Sequence, residues 1–224
     1  DLESKQSYSE IIKKSTILND SKAKEIKTVG ANMQKAVEAY MASVNKSPLI
    51  SNFAWEFNLI KDDSVNAWCM PGGKVAFYTG ILPYTLDETG IATVMGHEIA
   101  HAIANHGNER LSQSVLLNFG YSVLEEFKNE NPTKFREVLY QSFGIGSTLG
   151  SLKFSRVQEL EADKLGLIFM AMAGYDPSKS VDFWNRMSKS GSANIEILST
   201  HPNDAKRISK IKAFLPEALK YYKK

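Results

Sequence analysis

Near the start of the chain, apolar residues return every three or four positions at Ile26, Val29, Met33, Val37 and Met41. That period reads as helical, so residues 8–45 are expected to form a scaffold helix, with Asp20 or Ser21 as an N-cap. The period then shortens. Residues 53–60 (FAWEFNLI) are aromatic-rich and strand-like, residues 61–64 (KDDS) form a turn, and residues 65–70 pair back. Pro71, Gly72 and Gly73 break the chain before a third strand at residues 75–79. The economical arrangement is a small antiparallel sheet of three strands. From Thr85 onward the pattern is helical almost to the end, interrupted at residues 129–132 (NENP) and at residues 144–150 (GIGSTLG). The second interruption is either a mobile lid or a plain loop. Without an internal repeat, the chain reads as one helix-dominated α+β domain over residues 1–224, with a helical scaffold at residues 1–47 and a core at residues 48–210.

Two of the helices carry candidate chemistry. Thr85 and Glu88 have capping-box spacing, and Gly107 stands where a helix starting there needs a left-handed stop. On that helix Ile91, Met95, Ile99 and Ala102 share one stripe, while Val94, His97 and His101 point away from it. Four residues apart, the two imidazoles project one turn from each other and can reach a single Zn²⁺, with Glu98 placed to address a water. His-Glu-x-x-His alone has a known false-positive rate. His106 falls outside the ligand spacing and reads as a helix-end histidine near the C-terminal dipole.

The second helix runs over residues 156–173, with Ser155 and Gln158 as a capping box and Gly174 and Pro177 as stops. Leu160, Leu167 and Ala171 form its apolar stripe, and Glu161 with Lys164 makes a pair suited to a solvated edge. Glu159 and Asp163 lie on a separate face, where Ala162 and Gly166 let another helix approach. Carboxylates on a close-packed face need partners. Glu159 is therefore the expected third zinc ligand, and Asp163 the partner of the outer nitrogen of a ligand histidine, His97 first among them.

Composition narrows the classes. With 27 Lys and Arg against 25 Asp and Glu, the net charge is +2 and no basic, aromatic-laced run marks a nucleic-acid face. The longest apolar stretch, residues 165–173, is far short of the roughly 20 residues a membrane helix needs. Cys69, the one cysteine, reads as a small buried strand residue. The chain starts at Asp1, which fits a leader, lipid-anchored or not, removed upstream.

MGHEIAHAIANHG, FSRVQELEADKLG, NAWCMPGGKVAFYTGIL and STHPNDAKRI, in this order and spacing, resemble the soluble members of peptidase family M48. The resemblance covers roughly residues 66–208, with Trp68-Cys69 departing from the Phe-Ala of many relatives. It implies a zincin-like fold of gluzincin type, with His97, His101 and Glu159 as zinc ligands, Glu98 as general base and Asp163 closing the Glu-x-x-x-Asp motif. His201, in its Thr-His-Pro context, would lie beside the zinc, either bonding the oxyanion or plugging the open position. Arg207 is a weaker candidate for the same charge-stabilising task. The implied function is a zinc-dependent metalloendopeptidase acting on misfolded or exported proteins. If the outer strand of residues 66–79 is an edge, unfolded polypeptide would add along it as a strand; an ordinary hairpin packed on the helices fits the same residues. The rival reading is a chaperone or assembly factor for envelope proteins with a structural or latent zinc site. Family resemblance also implies a bacterial protein in the periplasm or at the outer membrane.

Overall fold

The computed structural model describes residues 2–119, 129, 132–145, 153–190, 195–201 and 205–223. The N-terminal helical pattern resolves into two helices, α1 (Leu2–Lys14) and α2 (Ser21–Ser43). Between them Ile17 bridges Ile60, and Leu18 N–H donates to the Leu59 carbonyl at 2.9 Å, so the chain runs beside a strand before turning back. Asp20 restarts the helix by accepting from the Ala23 N–H at 2.8 Å. The expected stripe of Ile26, Val29, Met33, Val37 and Met41 is buried.

The sheet comprises β1 (Glu56–Ile60), β2 (Ala67–Met70) and β3 (Lys74–Tyr78), in the order β1-β3-β2. β2 and β3 form the expected antiparallel hairpin, turned by Gly72 and Gly73 at φ 83° and 77°. β1, however, pairs in parallel with β3, from Glu56 opposite Lys74 to Ile60 opposite Tyr78. The sheet is therefore mixed, and the all-antiparallel expectation is corrected. Residues 61–66 cross the end of β3 instead of turning back: Gly80 N–H donates to the Asp62 carbonyl at 2.9 Å, and a Cβ on Gly80 would strike the backbone of Asp63. Alternating polarity reports which face a residue takes, not which strand lies beside it.

A short helix α3 (Leu82–Thr85) ends at Leu86, whose φ is +68°. The N-cap of α4 (Glu88–Ile103) is consequently Asp87, accepting from the Gly90 N–H at 2.9 Å, and not Thr85. α4 stops at Ile103. Asn105 takes the left-handed conformation at φ 63°, and α5 (His106–Phe119) begins at once. Gly107 thus lies inside α5, where a Cβ would collide with Phe143. Every residue from Gly90 to His101 is buried, so α4 is core on all sides.

α6 (Pro132–Ser142) precedes α7 (Arg156–Met172), which carries the full Ser155–Gln158 capping box. α8 (Ser180–Lys189), α9 (Glu196–Thr200) and α10 (Ala205–Ala218) close the core. α4 and α7 cross backbone to backbone. A Cβ on Gly96 would sit 2.8 Å from the Gly166 carbonyl oxygen, and one on Gly166 would sit 2.9 Å from the His97 nitrogen. This crossing, anticipated from Gly166, holds the histidines of α4 against the carboxylates of α7. Gly166→Ala is expected to cost about 1–3 kcal/mol by forcing the helices apart, read as a lowered urea midpoint. No helix among the described residues is long and apolar enough to cross a membrane.

Candidate metal centre

α4 contributes His97, Glu98 and His101, α7 contributes Glu159 and Asp163, and His201 follows α9. His97, His101, Glu159 and His201 each offer a donor atom, and these atoms all lie within 4.8 Å of one another. His97 Nε2 is 3.1 Å from both His101 Nε2 and His201 Nδ1. Glu159 Oε1 is 2.9 Å from His201 Nδ1 and 3.3 Å from His101 Nε2, and Oε2 is 3.6 Å from His97 Nε2. A tetrahedron with its corners ~2.0–2.1 Å from the centre has edges of about 3.3–3.4 Å, so these spacings leave room for one ion. Three imidazoles and a carboxylate suit a borderline divalent metal. Burial pushes His101 well below the usual histidine range, which leaves a neutral ring with a free lone pair.

The carboxylates are held by one arginine. Arg207, on α10, places Nη1 2.6 Å from Glu159 Oε2 and grips Asp163 with Nε and Nη2, each at 2.7 Å. Asp163 Oδ1 also lies 3.0 Å from His97 Nδ1, the outer nitrogen of that ring. Burial pushes both carboxyls up, but Arg207 and the histidines outweigh it, leaving Glu159 well below and Asp163 below the ordinary range. Arg207, ranked low on sequence, is a buried pivot whose Cζ lies 3.8 Å over the Trp184 ring. Glu98 takes no part in the donor cluster. Its Oε1 is 3.6 Å from His201 Nε2, and burial in the main raises its pKa.

Residues 27–215 match the family described as Peptidase family M48. The chain belongs to this family. It is 36% identical over 205 residues to the mitochondrial metalloendopeptidase OMA1 of Saccharomyces cerevisiae, covering 84% of this chain and 55% of that protein. Human OMA1 is 34% identical over 197 residues (83% of this chain, 37% of that protein). The β-barrel assembly-enhancing protease of Escherichia coli is 27% identical over 164 residues (69% and 33%). The M48 chain thus spans about half or less of the length of these relatives. The mitochondrial OMA1 proteins of eukaryotes match at 32–36% identity and the bacterial proteases at 27–29%, which overturns the expectation of a bacterial periplasmic or outer-membrane-associated protein. The motifs specify metal chemistry and carry no cellular address.

In this M48 chain all four donor residues are buried. The Phe154 ring lies 3.9 Å from the His101 ring and 4.7 Å from that of His201, and Arg110 Cζ stands 3.7 Å from the Phe154 centroid. Phe154 N–H donates to the Thr200 carbonyl at 3.0 Å, tying this cover to the turn that carries His201. Arg110 donates from Nη2 to the Gln141 carbonyl at 2.9 Å, and burial pushes its pKa down to about 10. Beside Phe154, a small pocket of about 10 Å³, room for one water, is lined by Cys69, Glu98, His101, Phe143 and Phe154. Of the 144–150 stretch, Gly144 accepts from Asn66 Nδ2 at 3.1 Å, while residues 146–150 lie outside the described residues.

Sequence reasoning missed Phe154 and Arg110, whose roles arise only from contacts across the chain. It also misplaced His106, which opens α5 instead of ending α4 and is buried against His101. Asn105, one of the residue types that tolerate a left-handed conformation, was the available signal for that turn. Glu161 approaches His106 at 3.3 Å, while Lys164 extends over Phe214, so the expected Glu161–Lys164 pair is replaced.

Proposed function

We propose that this chain is the catalytic domain of a zinc-dependent metalloendopeptidase that hydrolyses peptide bonds in unfolded or misfolded polypeptides. The observation that carries this reading is the convergence of donor atoms of His97, His101, Glu159 and His201 to within 4.8 Å of one another, with Glu98 beside them and outside the donor set. In this reading His97, His101 and Glu159 hold the zinc, and Asp163 orients His97. Zinc bound there supplies Lewis acidity toward a carbonyl oxygen and lowers the pKa of water. Glu98 accepts the proton of the attacking water on its carboxylate and returns it to the leaving amine nitrogen. Its burial, which raises its basicity, suits that exchange. Arg207 acts at one remove, keeping Glu159 and Asp163 charged.

The sheet supports the substrate class. β2 pairs with β3 on one side and has no strand partner on the other among the described residues. All four residues of β2 are buried, so an extended polypeptide would pair there through main-chain hydrogen bonds only once that edge is uncovered. The helical scaffold and the core form one unit in this reading, because α2 packs against α4, α7 and β1.

One observation favours a second reading. His201 occupies the fourth corner, and four protein donors are the mark of a structural site. A chaperone or assembly factor with a structural or latent zinc would have that closure. In the peptidase reading, His201 is a reversible plug that must leave for catalysis. The test combines zinc analysis with casein cleavage, before and after removal of metal by 1,10-phenanthroline. One zinc per chain is expected, with cleavage that disappears on chelation and returns with zinc. His201→Ala is expected to keep the zinc and raise the resting rate. Zinc in place with no cleavage by either the wild type or the variant would favour the structural reading.

A further inference from the structure

His101 turns Nε2 toward the donor cluster and Nδ1 away from it, to within 2.9 Å of His106 Nδ1. A neutral imidazole that offers the lone pair of Nε2 to a metal carries its proton on Nδ1. Two ring nitrogens this close form a hydrogen bond only if one donates and the other accepts. His101 Nδ1 therefore donates to His106 Nδ1, which leaves the proton of His106 on Nε2. That nitrogen faces Glu161 Oε2 at 3.3 Å, and the carboxylate accepts it. Every donor in the chain His101–His106–Glu161 thus meets an acceptor, from a buried ring to a carboxylate whose side chain is 55% exposed.

The backbone builds this contact. The left-handed Asn105 ends α4 and starts α5 within two residues, swinging His106 back onto the outer face of His101. Asp163 stands in the corresponding place behind His97. We infer that His106, supported by Glu161, is the positioning residue for His101, fixing its tautomer and ring orientation for metal binding. The inference rests on the metal-site reading above and adds a second ligand-orienting pair to it.

The test compares His106→Leu, which fills space without accepting a proton, with His106→Asn, whose amide oxygen can accept near the place of Nδ1. Zinc affinity is measured by chelator competition, and the tautomers of His101 and His106 by ¹⁵N NMR of the zinc-loaded protein. The leucine variant is expected to bind zinc roughly 10–100-fold more weakly, with most of the loss recovered by asparagine. NMR is expected to find the proton on Nδ1 of His101 and on Nε2 of His106. A folded leucine variant with wild-type affinity, or an asparagine variant as weak as leucine, overturns the inference. If the leucine variant does not fold, the asparagine variant and the tautomers decide it, and a His106 proton on Nδ1 overturns it. Wild-type protein that binds no zinc overturns the metal reading itself, an outcome distinct from zinc binding that is indifferent to His106.

Discussion

Glu98→Gln is expected to lower kcat for casein by roughly 10²–10⁴-fold, the usual contribution of a positioned general base, while leaving one zinc per chain. The separation of effects follows from geometry. Glu98 contributes no atom to the donor cluster, so its amide removes a proton acceptor without removing a ligand. Its nearest ionisable partner, His201, is 3.6 Å away, and glutamine has nearly the same volume, so the packing of α4 is retained. KM should change little, because the proton moves only in the chemical step and not on binding. Parallel measurement of metal content and steady-state rates checks this. Equal activity in the variant would remove Glu98 from the mechanism.

Arg207→Leu is expected to have the largest effect on stability. Breaking a buried pair by removing one partner costs about 3–5 kcal/mol, because the other charge stays buried and uncompensated. Here two carboxylates, Glu159 and Asp163, lose the same guanidinium. The pH dependence gives a second readout. In the wild type both folded values lie below the unfolded ones of about 3.9 for Asp and 4.3 for Glu. Their stabilisation is therefore full above that range and is lost as pH falls through the folded values. In the variant, burial without Arg207 raises the folded values, so stability is lost as pH rises. The difference between the two proteins should be widest near neutrality and close in acid, as urea unfolding of metal-free protein from acid to neutral pH will show.

The centre was legible because its parts are local. His97 and His101 lie one helical turn apart, as do Glu159 and Asp163, so helical periodicity placed each pair on a common face, with Glu98 adjacent to His97 in sequence. Gly166, read as a point of close approach, is where the two helices cross. The shortfall came where meaning depends on long-range contact. Arg207 has two carboxylate partners 44 and 48 residues upstream, and nothing in its own surroundings in sequence marks it as buried. The parallel pairing of β1 was hidden because residues 61–66 resemble an ordinary turn until their crossing over Gly80 is seen. His106 was misassigned because one left-handed residue, Asn105, divides what periodicity reads as a continuous helix.

Phe154 is placed between Arg110 and the rings of His101 and His201, so it covers that side of the donor cluster. On the peptidase reading, a good substrate and a poor one would be excluded alike while that aromatic ring is home. Selectivity would then lie in whatever displaces the ring, and turnover would be bounded by how often the stack parts.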